Sequence, residues 1–397
     1  MRIRPRTALT AAAVALAIAA GPATTQALAH PAPTSSTSST STPHTGALDT
    51  EALRRTIANL PADDATAAVI RVGGRAGSWQ GAAGVRDLAS RQPVLADGRF
   101  RAGSVTKVLT AAVVLQLVAE HKVALNRPVQ RYLPELLPAD YPPITVAQLL
   151  NHTSGLHPAD GPGDSFEAQY AHRFDTTTPQ QLIASATAHP LEFTPGSAQH
   201  YLNINYTVLG LLIEKVTGDS YEDQVQRRVL TPLGMRDTSY PGSDPYLPGP
   251  HNLGYQRTAA GVVDVTDWNV SAGWAAGDVI STAADLERFT VALFSGRVVP
   301  KAQLRHMLEV PQGITMYEST DPASYTMGLT RSVLPDGTVC YGKTGERYGY
   351  ATGMGATLDT RGRIDRTLVY VVNSTNAKSA SGNPRKLPIA LAALQHS

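Results

Sequence analysis

The chain has few of the features that stabilise small exported domains or bind polyanions. Its 397 residues include a single cysteine, Cys340, so no disulfide can form within one chain. Charged residues make up only 17% of the sequence, and the apolar run near the start is shorter than the ~20 residues needed to span a bilayer. The 42% hydrophobic content instead suits a globular protein with a sizeable core.

The start of the chain predicts a signal peptide over residues 1–29. Arg2, Arg4 and Arg6 precede a stretch of Ala, Leu, Val and Ile, and the Ala-Leu-Ala at 27–29 matches a small-x-small cleavage pattern. We therefore expect a secreted, extracytoplasmic protein without a stable membrane anchor, and a monomer. Without the signal peptide, 31 Lys and Arg face 32 Asp and Glu, a balance that does not favour nucleic-acid binding.

The rest of the sequence divides by composition into a linker and one domain. Residues 30–46 are Ser, Thr and Pro with few hydrophobic residues, which predicts a flexible linker before a domain at 47–397. Strand-like runs lie near both ends of this domain and helix-like runs lie between them. The order predicts an α/β (α+β) fold, in which both chain ends build one antiparallel sheet, flanked by helices, with an inserted all-helical subdomain. The sheet part is expected at about 47–107 and 325–397, and the helical part at about 108–324.

Ser104 and Lys107 form the first motif that can carry chemistry. Side chains three residues apart share one helix face, and a long helix is predicted to begin near Val105. At the start of a helix, free N–H groups and the positive end of the dipole stabilise a developing oxyanion. Lys107 lies in an apolar stretch, and because burial lowers the pKa of a lysine, its neutral amine can take the serine proton. Taken alone, this motif leaves open a helix-capping serine beside an exposed lysine.

Lys343, Thr344 and Gly345 form the second motif, on a predicted strand. Such a strand can pair with an extended substrate, and Gly345 has no side chain to block the approach. If Lys343 lies ~4 Å from Lys107, the two charges repel by roughly 4 kcal/mol at an effective dielectric constant of ~20, equivalent to about three pKa units. We therefore expect Lys343 to help keep Lys107 neutral.

The two residues after this motif, Glu346 and Arg347, point to opposite faces of a strand. One of them is therefore expected to enter the cleft. An inward Arg347 would pair with a substrate carboxylate, such as that of a free C-terminal D-alanine, whereas an inward Glu346 would repel it.

Tyr201 and Asn203 form a third candidate pair. A phenol beside a lysine can relay a proton between the nucleophile and the leaving group. An amide side chain two residues later can bind a substrate carbonyl. Tyr201 by itself is more typical of a tyrosine that packs in the core or at an interface.

The order of these motifs resembles that of class C β-lactamases and the related D-alanyl-D-alanine carboxypeptidases and esterases. Ser-x-x-Lys is followed about 95 residues later by Tyr-x-Asn and about 140 residues after that by Lys-Thr-Gly. The intervening segments 102–107, 149–156 and 275–282 also resemble the family. The resemblance covers about residues 50–390 and is closest to the secreted D-alanyl-D-alanine carboxypeptidases. It implies the β-lactamase/DD-peptidase fold.

The resemblance also implies the roles of individual residues. Ser104 would be acylated, with Lys107 as its base and Tyr201 as the proton shuttle, and the N–H groups of Ser104 and Glu346 would bind the oxyanion. The implied catalytic residues are Ser104, Lys107, Tyr201 and Lys343, and the implied substrate-binding residues are Asn203, Thr344, Gly345, Glu346 and Arg347.

The implied function is a serine-type D-alanyl-D-alanine carboxypeptidase, or a transpeptidase, that acts on peptidoglycan stem peptides and binds penicillin, without a cofactor or metal. A β-lactamase or an esterase would use the same residues. A non-catalytic protein that binds wall peptides or β-lactams is the alternative from another class.

Three further residues stand out. Cys340 lies in an apolar, strand-like run and is predicted to be a buried strand cysteine. His152 is structural by the same resemblance, rather than a catalytic base. Asp278 occupies a position where relatives often have a small residue, and its effect is left open.

Overall fold

The computed structural model describes residues 46–396. The predicted signal peptide and all but the last residue of the predicted linker therefore lie outside the described residues. The first helix, α1 (Thr50–Thr56), is capped by Asp49, whose carboxylate accepts a hydrogen bond from the Ala52 N–H at 2.8 Å. Within residues 46–396, no helix combines the length and apolar character that crossing a bilayer requires.

A six-stranded antiparallel sheet is assembled from both ends of the chain. Its strands lie in the order β2-β1-β10-β9-β8-β7. They are β1 (Ala65–Gly74), β2 (Trp79–Gly84), β7 (Thr330–Val333), β8 (Val339–Arg347), β9 (Tyr350–Leu358) and β10 (Ile364–Ser374). Four shorter strands form two separate pairs: β3 (Phe100–Arg101) with β6 (Ile280–Ser281), and β4 (Tyr255–Thr258) with β5 (Gly261–Asp264).

Helices cover both faces of the large sheet. Strands β9 and β10 are therefore buried along nearly their whole length, instead of alternating between buried and exposed residues. On one face, Leu53 of α1 and Ile389 of α11 (Lys386–Leu394) pack in one apolar cluster with residues of the sheet, Cys340 among them. The second face packs against α2 (Thr106–Ala119) and α9 (Ala283–Phe294) in a larger apolar core.

The middle of the chain is mostly helical. Its remaining helices are α3 (Val146–Leu150), α4 (Phe166–Ala171), α5 (Pro179–Thr187), α6 (Asn203–Thr217), α7 (Tyr221–Val225), α8 (Thr231–Leu233) and α10 (Lys301–Leu304). The prediction of an antiparallel sheet from both chain ends with an inserted helical part is confirmed. The insertion also contains the β4–β5 hairpin, which the sequence analysis did not predict because its strands are short and solvent-exposed around Val262.

The helix α2 places the first motif against the sheet. A 3₁₀ turn, Gly103–Val105, leads into α2 and packs on β8, while α6 packs along α2. The predicted buried helix near Val105 is thus present. The start of α2, the start of α6 and the free end of β8 meet at one place.

Candidate active site

Ser104 lies on a turn that contacts β8 through backbone atoms. Gly103 has φ 53°, and a Cβ there would lie 2.8 Å from the Glu346 nitrogen. A Cβ on Gly345 would lie 1.9 Å from the Ala102 carbonyl oxygen and 2.9 Å from the Ser104 nitrogen. Only glycines permit this contact. It brings the Glu346 nitrogen close to Gly103 and the Ser104 nitrogen close to Gly345, so both N–H groups lie at the turn that carries the serine, where an oxyanion site needs them.

Lys107 is completely buried one helical turn beyond Ser104. Its Nζ lies 3.2 Å from the Ser104 Oγ, 2.7 Å from the Asn203 Oδ1 and 2.8 Å from the Ala276 carbonyl oxygen. Burial holds the pKa of Lys107 well below its usual value, and the charges of Lys343 and Arg347 lower it further. A neutral amine that donates to Asn203 and Ala276 directs its lone pair at the serine hydroxyl, so Lys107 can accept the serine proton.

Tyr201 lies between the two lysines. Its ring centroid is 4.8 Å from the Lys107 Nζ and 4.5 Å from the Lys343 Nζ. The Tyr201 hydroxyl is buried and has no hydrogen-bond partner of good geometry among residues 46–396. Burial raises the pKa of this phenol strongly, although the nearby Ser104 hydroxyl opposes the rise. Tyr201 is therefore a protonated phenol beside the nucleophile with its O–H still available to donate.

His152 fixes Tyr201 from behind. The two ring centroids are 4.5 Å apart, and the His152 Nδ1 accepts hydrogen bonds from the Leu202 N–H at 3.3 Å and the Asn205 amide at 3.2 Å. Burial, followed by the charges of Lys107 and others, holds the pKa of His152 well below its usual value. These contacts let His152 position the Tyr201 segment, and its structural role stays a prediction.

Lys343 lies at the free edge of β8. β7 pairs only with Val339–Gly342, so no strand of the described residues pairs with the segment Lys343–Arg347 on that edge. The Lys343 Nζ donates to the Thr344 carbonyl oxygen at 3.0 Å, and burial lowers its pKa to about 7. An unpaired strand edge of this kind can align an extended substrate beside Ser104.

Glu346 and Arg347 point to opposite faces, and the structure assigns Arg347 to the cleft. The Glu346 carboxylate accepts a hydrogen bond from the Lys386 Nζ at 2.5 Å, on the α11 side of the sheet. Arg347 donates from Nε at 3.1 Å and from Nη2 at 2.6 Å to the Gly277 carbonyl oxygen. The repulsive alternative, an inward Glu346, does not occur.

Most of the predicted residues thus come together in one cleft, but the Glu346 side chain does not, because it lies on the α11 side of the sheet. Asn203 stands exposed at the start of α6, where Lys107 occupies its carbonyl oxygen and leaves its NH₂ group to a substrate. The sequence analysis missed the Ala276 carbonyl and Lys386. No motif signals a main-chain acceptor, and Lys386 lies 40 residues from Glu346. Cys340 is buried, as predicted, and burial raises the pKa of its thiol to about 11.

The comparison with protein families settles the family. The sequence model described as Beta-lactamase matches residues 53–392. The chain belongs to the β-lactamase family. The predicted family and its fold are therefore confirmed, and the chain is a hydrolase of this family; the roles of its individual site residues remain predictions.

Relatives in the β-lactamase family have varied named activities. Esterase EstB of Burkholderia gladioli is 36% identical over 179 residues, which are 42% of this chain and 45% of the esterase. Penicillin-binding protein 4* of Bacillus subtilis is 27% identical over 305 residues, 73% of this chain and 64% of that protein. For most of the curated relatives it matches, the chain spans only about half of their length.

A solved structure gives a more complete match. The D-stereospecific amidohydrolase from Streptomyces sp. superposes with a TM-score of 0.74 at 32% identity, over 88% of this chain and 99% of the other. The D-amino acid amidase from Ochrobactrum anthropi SV3, complexed with L-phenylalanine, has a TM-score of 0.72 at 25% identity, over 86% of this chain and 96% of the other.

Proposed function

We propose that this protein is a serine-type D-alanyl-D-alanine carboxypeptidase that forms an acyl-enzyme on Ser104. The supporting observation is the charge of the cleft. Lys343 and Arg347 both face the site, and neither pairs with a carboxylate of residues 46–396. Asp278 is buried, its carboxyl oxygens have no hydrogen-bond partner among the described residues, and burial raises its pKa well above the usual value. A peptide with a free C-terminal carboxylate supplies an anion that Lys343 can bind.

The geometry supports a two-step reaction. The Ser104 Oγ attacks the carbonyl carbon of the penultimate D-alanine while its proton passes to the Lys107 amine. The oxyanion forms against the N–H groups of Ser104 and Glu346. Tyr201 donates its proton to the departing D-alanine nitrogen and regains one through Lys107, so the C–N bond breaks and an ester remains on Ser104. Water then hydrolyses the ester; an amine in its place gives transpeptidation.

The direction of the substrate follows from Tyr201. Because this phenol protonates the leaving group and lies 4.5 Å from the Lys343 Nζ, the leaving group lies on the Lys343 side. Lys343 is thereby placed to bind its carboxylate, whereas alternation along β8 puts the Thr344 side chain on the α11 face. The backbone of the acyl part runs along the free edge of β8, and the Asn203 amide binds an acyl-side carbonyl.

Hydrolysis of D-amino acid amides is the second candidate. It is favoured by the similarity to the Streptomyces D-stereospecific amidohydrolase over 88% of this chain. Such amides lack a carboxylate and carry an ammonium group, which the cationic cleft disfavours. β-Lactam or ester hydrolysis would use the same nucleophile. We further propose that the protein acts outside the cytoplasm on peptidoglycan stem peptides, because its first 29 residues have the pattern of a signal peptide.

A side-by-side measurement of turnover distinguishes these candidates. The substrates are an N-acetylated peptide ending in D-Ala-D-Ala, the same peptide ending in D-alaninamide, D-phenylalaninamide, a cephalosporin and a short-chain ester. We expect kcat/KM for the acid peptide to exceed that for its amide by about tenfold or more, the usual effect of one well-placed charge pair. Ser104→Ala is the blank. Faster turnover of the amide peptide or of D-phenylalaninamide would contradict the proposal.

A further inference from the structure

Arg347 lies in a slot formed by two glycines. A Cβ on Gly273 would lie 2.1 Å from the Arg347 Nη2, and a Cβ on Gly277 would lie 2.6 Å from the same atom. Gly273 has φ −87° and ψ −41°, a conformation that every residue adopts. Glycine at 273 is therefore required by the space that the guanidinium occupies and not by the backbone.

The slot leaves one end of the guanidinium free. The Nε and Nη2 atoms both donate to the Gly277 carbonyl oxygen. The Nη1 atom has no hydrogen-bond partner among residues 46–396, and it is not fully buried. Nη1 therefore keeps some accessible surface and can still donate a hydrogen bond. Both carboxyl oxygens of Asp278 are buried without a hydrogen-bond partner within the same residues, so Asp278 does not occupy the free end of Arg347.

The position of Arg347 along β8 separates it from the leaving group. Side chains on one face of a strand recur about every 6–7 Å, so Lys343 and Arg347 lie on either side of Gly345. The backbone of Ser104 packs at Gly345, where the scissile carbonyl would lie. Since the leaving group lies on the Lys343 side, Arg347 faces the acyl part, about one residue before the acylated D-alanine.

We propose that Arg347, seated between Gly273 and Gly277, forms an acyl-side subsite for a second carboxylate. The preferred acyl donors then carry an acidic group on the residue before the acylated D-alanine, and Nη1 donates to that carboxylate. This inference rests on the proposed function, from which it takes the direction of the substrate. It makes Arg347 a specificity residue distinct from Lys343, which serves the leaving group.

The test compares the peptides N-acetyl-Glu-D-Ala-D-Ala and N-acetyl-Gln-D-Ala-D-Ala, which differ only in the charge at the subsite. In the wild type we expect kcat/KM to be about tenfold higher for the Glu peptide, as one charge-assisted contact gives. Arg347→Gln should bring this ratio below about three, and Gly273→Ala should do the same by displacing the guanidinium. Because the readout is the ratio of kcat/KM for the Glu peptide to kcat/KM for the Gln peptide, an effect of a substitution on Ser104 or Lys107 that is common to both peptides cancels.

Two further arms keep the outcomes distinct. In the first arm, the same two acyl groups are supplied as esters of one neutral alcohol. If neither peptide is cleaved, the carboxypeptidase proposal fails. A faster reaction of the Glu ester than of the Gln ester would still support the subsite. A wild-type ratio near one in both pairs overturns the subsite. So does an unchanged ratio in Arg347→Gln. Should that variant fail to fold, Gly273→Ala and the wild-type ratio still decide.

Discussion

Replacing Tyr201 with phenylalanine should separate catalysis from stability. The Tyr201 hydroxyl is buried without a hydrogen-bond partner among residues 46–396, and such a group costs about 1–3 kcal/mol. Phenylalanine removes it and keeps the ring between Lys107 and Lys343. We expect the free energy of unfolding to stay the same or to rise by as much as that cost. Catalysis should fall about 10²–10⁴-fold, because the leaving group loses its proton donor.

Tyr370→Phe is the matched control. The Tyr370 hydroxyl is also buried and unpartnered among the described residues, but it lies on β10, outside the site. Guanidinium unfolding and kcat/KM on the D-Ala-D-Ala peptide are measured for both variants. Tyr370→Phe should resemble Tyr201→Phe in stability and the wild type in activity. The reasoning is refuted if Tyr201→Phe keeps activity within about threefold of wild type, or loses stability while Tyr370→Phe does not.

Three further substitutions test the other parts of the site. The pKa of Lys343 is about 7 in the folded chain, against 10.5 for an ordinary lysine. Between these two pH values the unfolded chain binds more protons than the folded chain, so the free energy of unfolding should rise with pH. Below pH ~7, Lys343→Met should therefore be more stable than wild type by about 5 kcal/mol. Urea unfolding at a series of pH values should show this difference shrinking toward pH ~10.5. A difference that does not change with pH would contradict the lowered pKa of Lys343. Gly345→Ala places a methyl 1.9 Å from the Ala102 carbonyl oxygen. Both the rate of acylation by penicillin and the melting temperature should therefore drop. An acylation rate equal to that of wild type would exclude the close contact. His152→Ala should lower the free energy of unfolding by about 2–4 kcal/mol and should reduce kcat because Tyr201 is no longer held in place. The plot of kcat against pH should keep its shape, whereas loss of a catalytic base would remove one side of the profile.

The sequence predicted most of the site because its motifs are short and local. Ser104 and Lys107 share a helix face by their spacing alone, and burial of Lys107 follows from its apolar neighbours. The sequence analysis assigned much of the low pKa of Lys107 to Lys343, whereas burial contributes more and Arg347 adds a third effect. How deeply a side chain is buried depends on elements far away in the chain, which spacing does not reveal.

The choice between Glu346 and Arg347 could not be made from the strand alone. Alternation places them on opposite faces but does not say which faces the cleft. That is decided by Lys386 on α11 and by the Gly277 carbonyl, both distant in sequence. The antiparallel sheet from both chain ends was predictable from the order of apolar runs, since the order leaves few compact topologies.

The central claim is that Ser104 is the nucleophile of this cleft. Intact-protein mass spectrometry after mixing with benzylpenicillin, followed by peptide mapping, tests it most directly. The account predicts one covalent adduct per chain on the peptide that contains Ser104, and none in the Ser104→Ala variant. An adduct on another residue, or equal labelling of the Ser104→Ala variant, would contradict it.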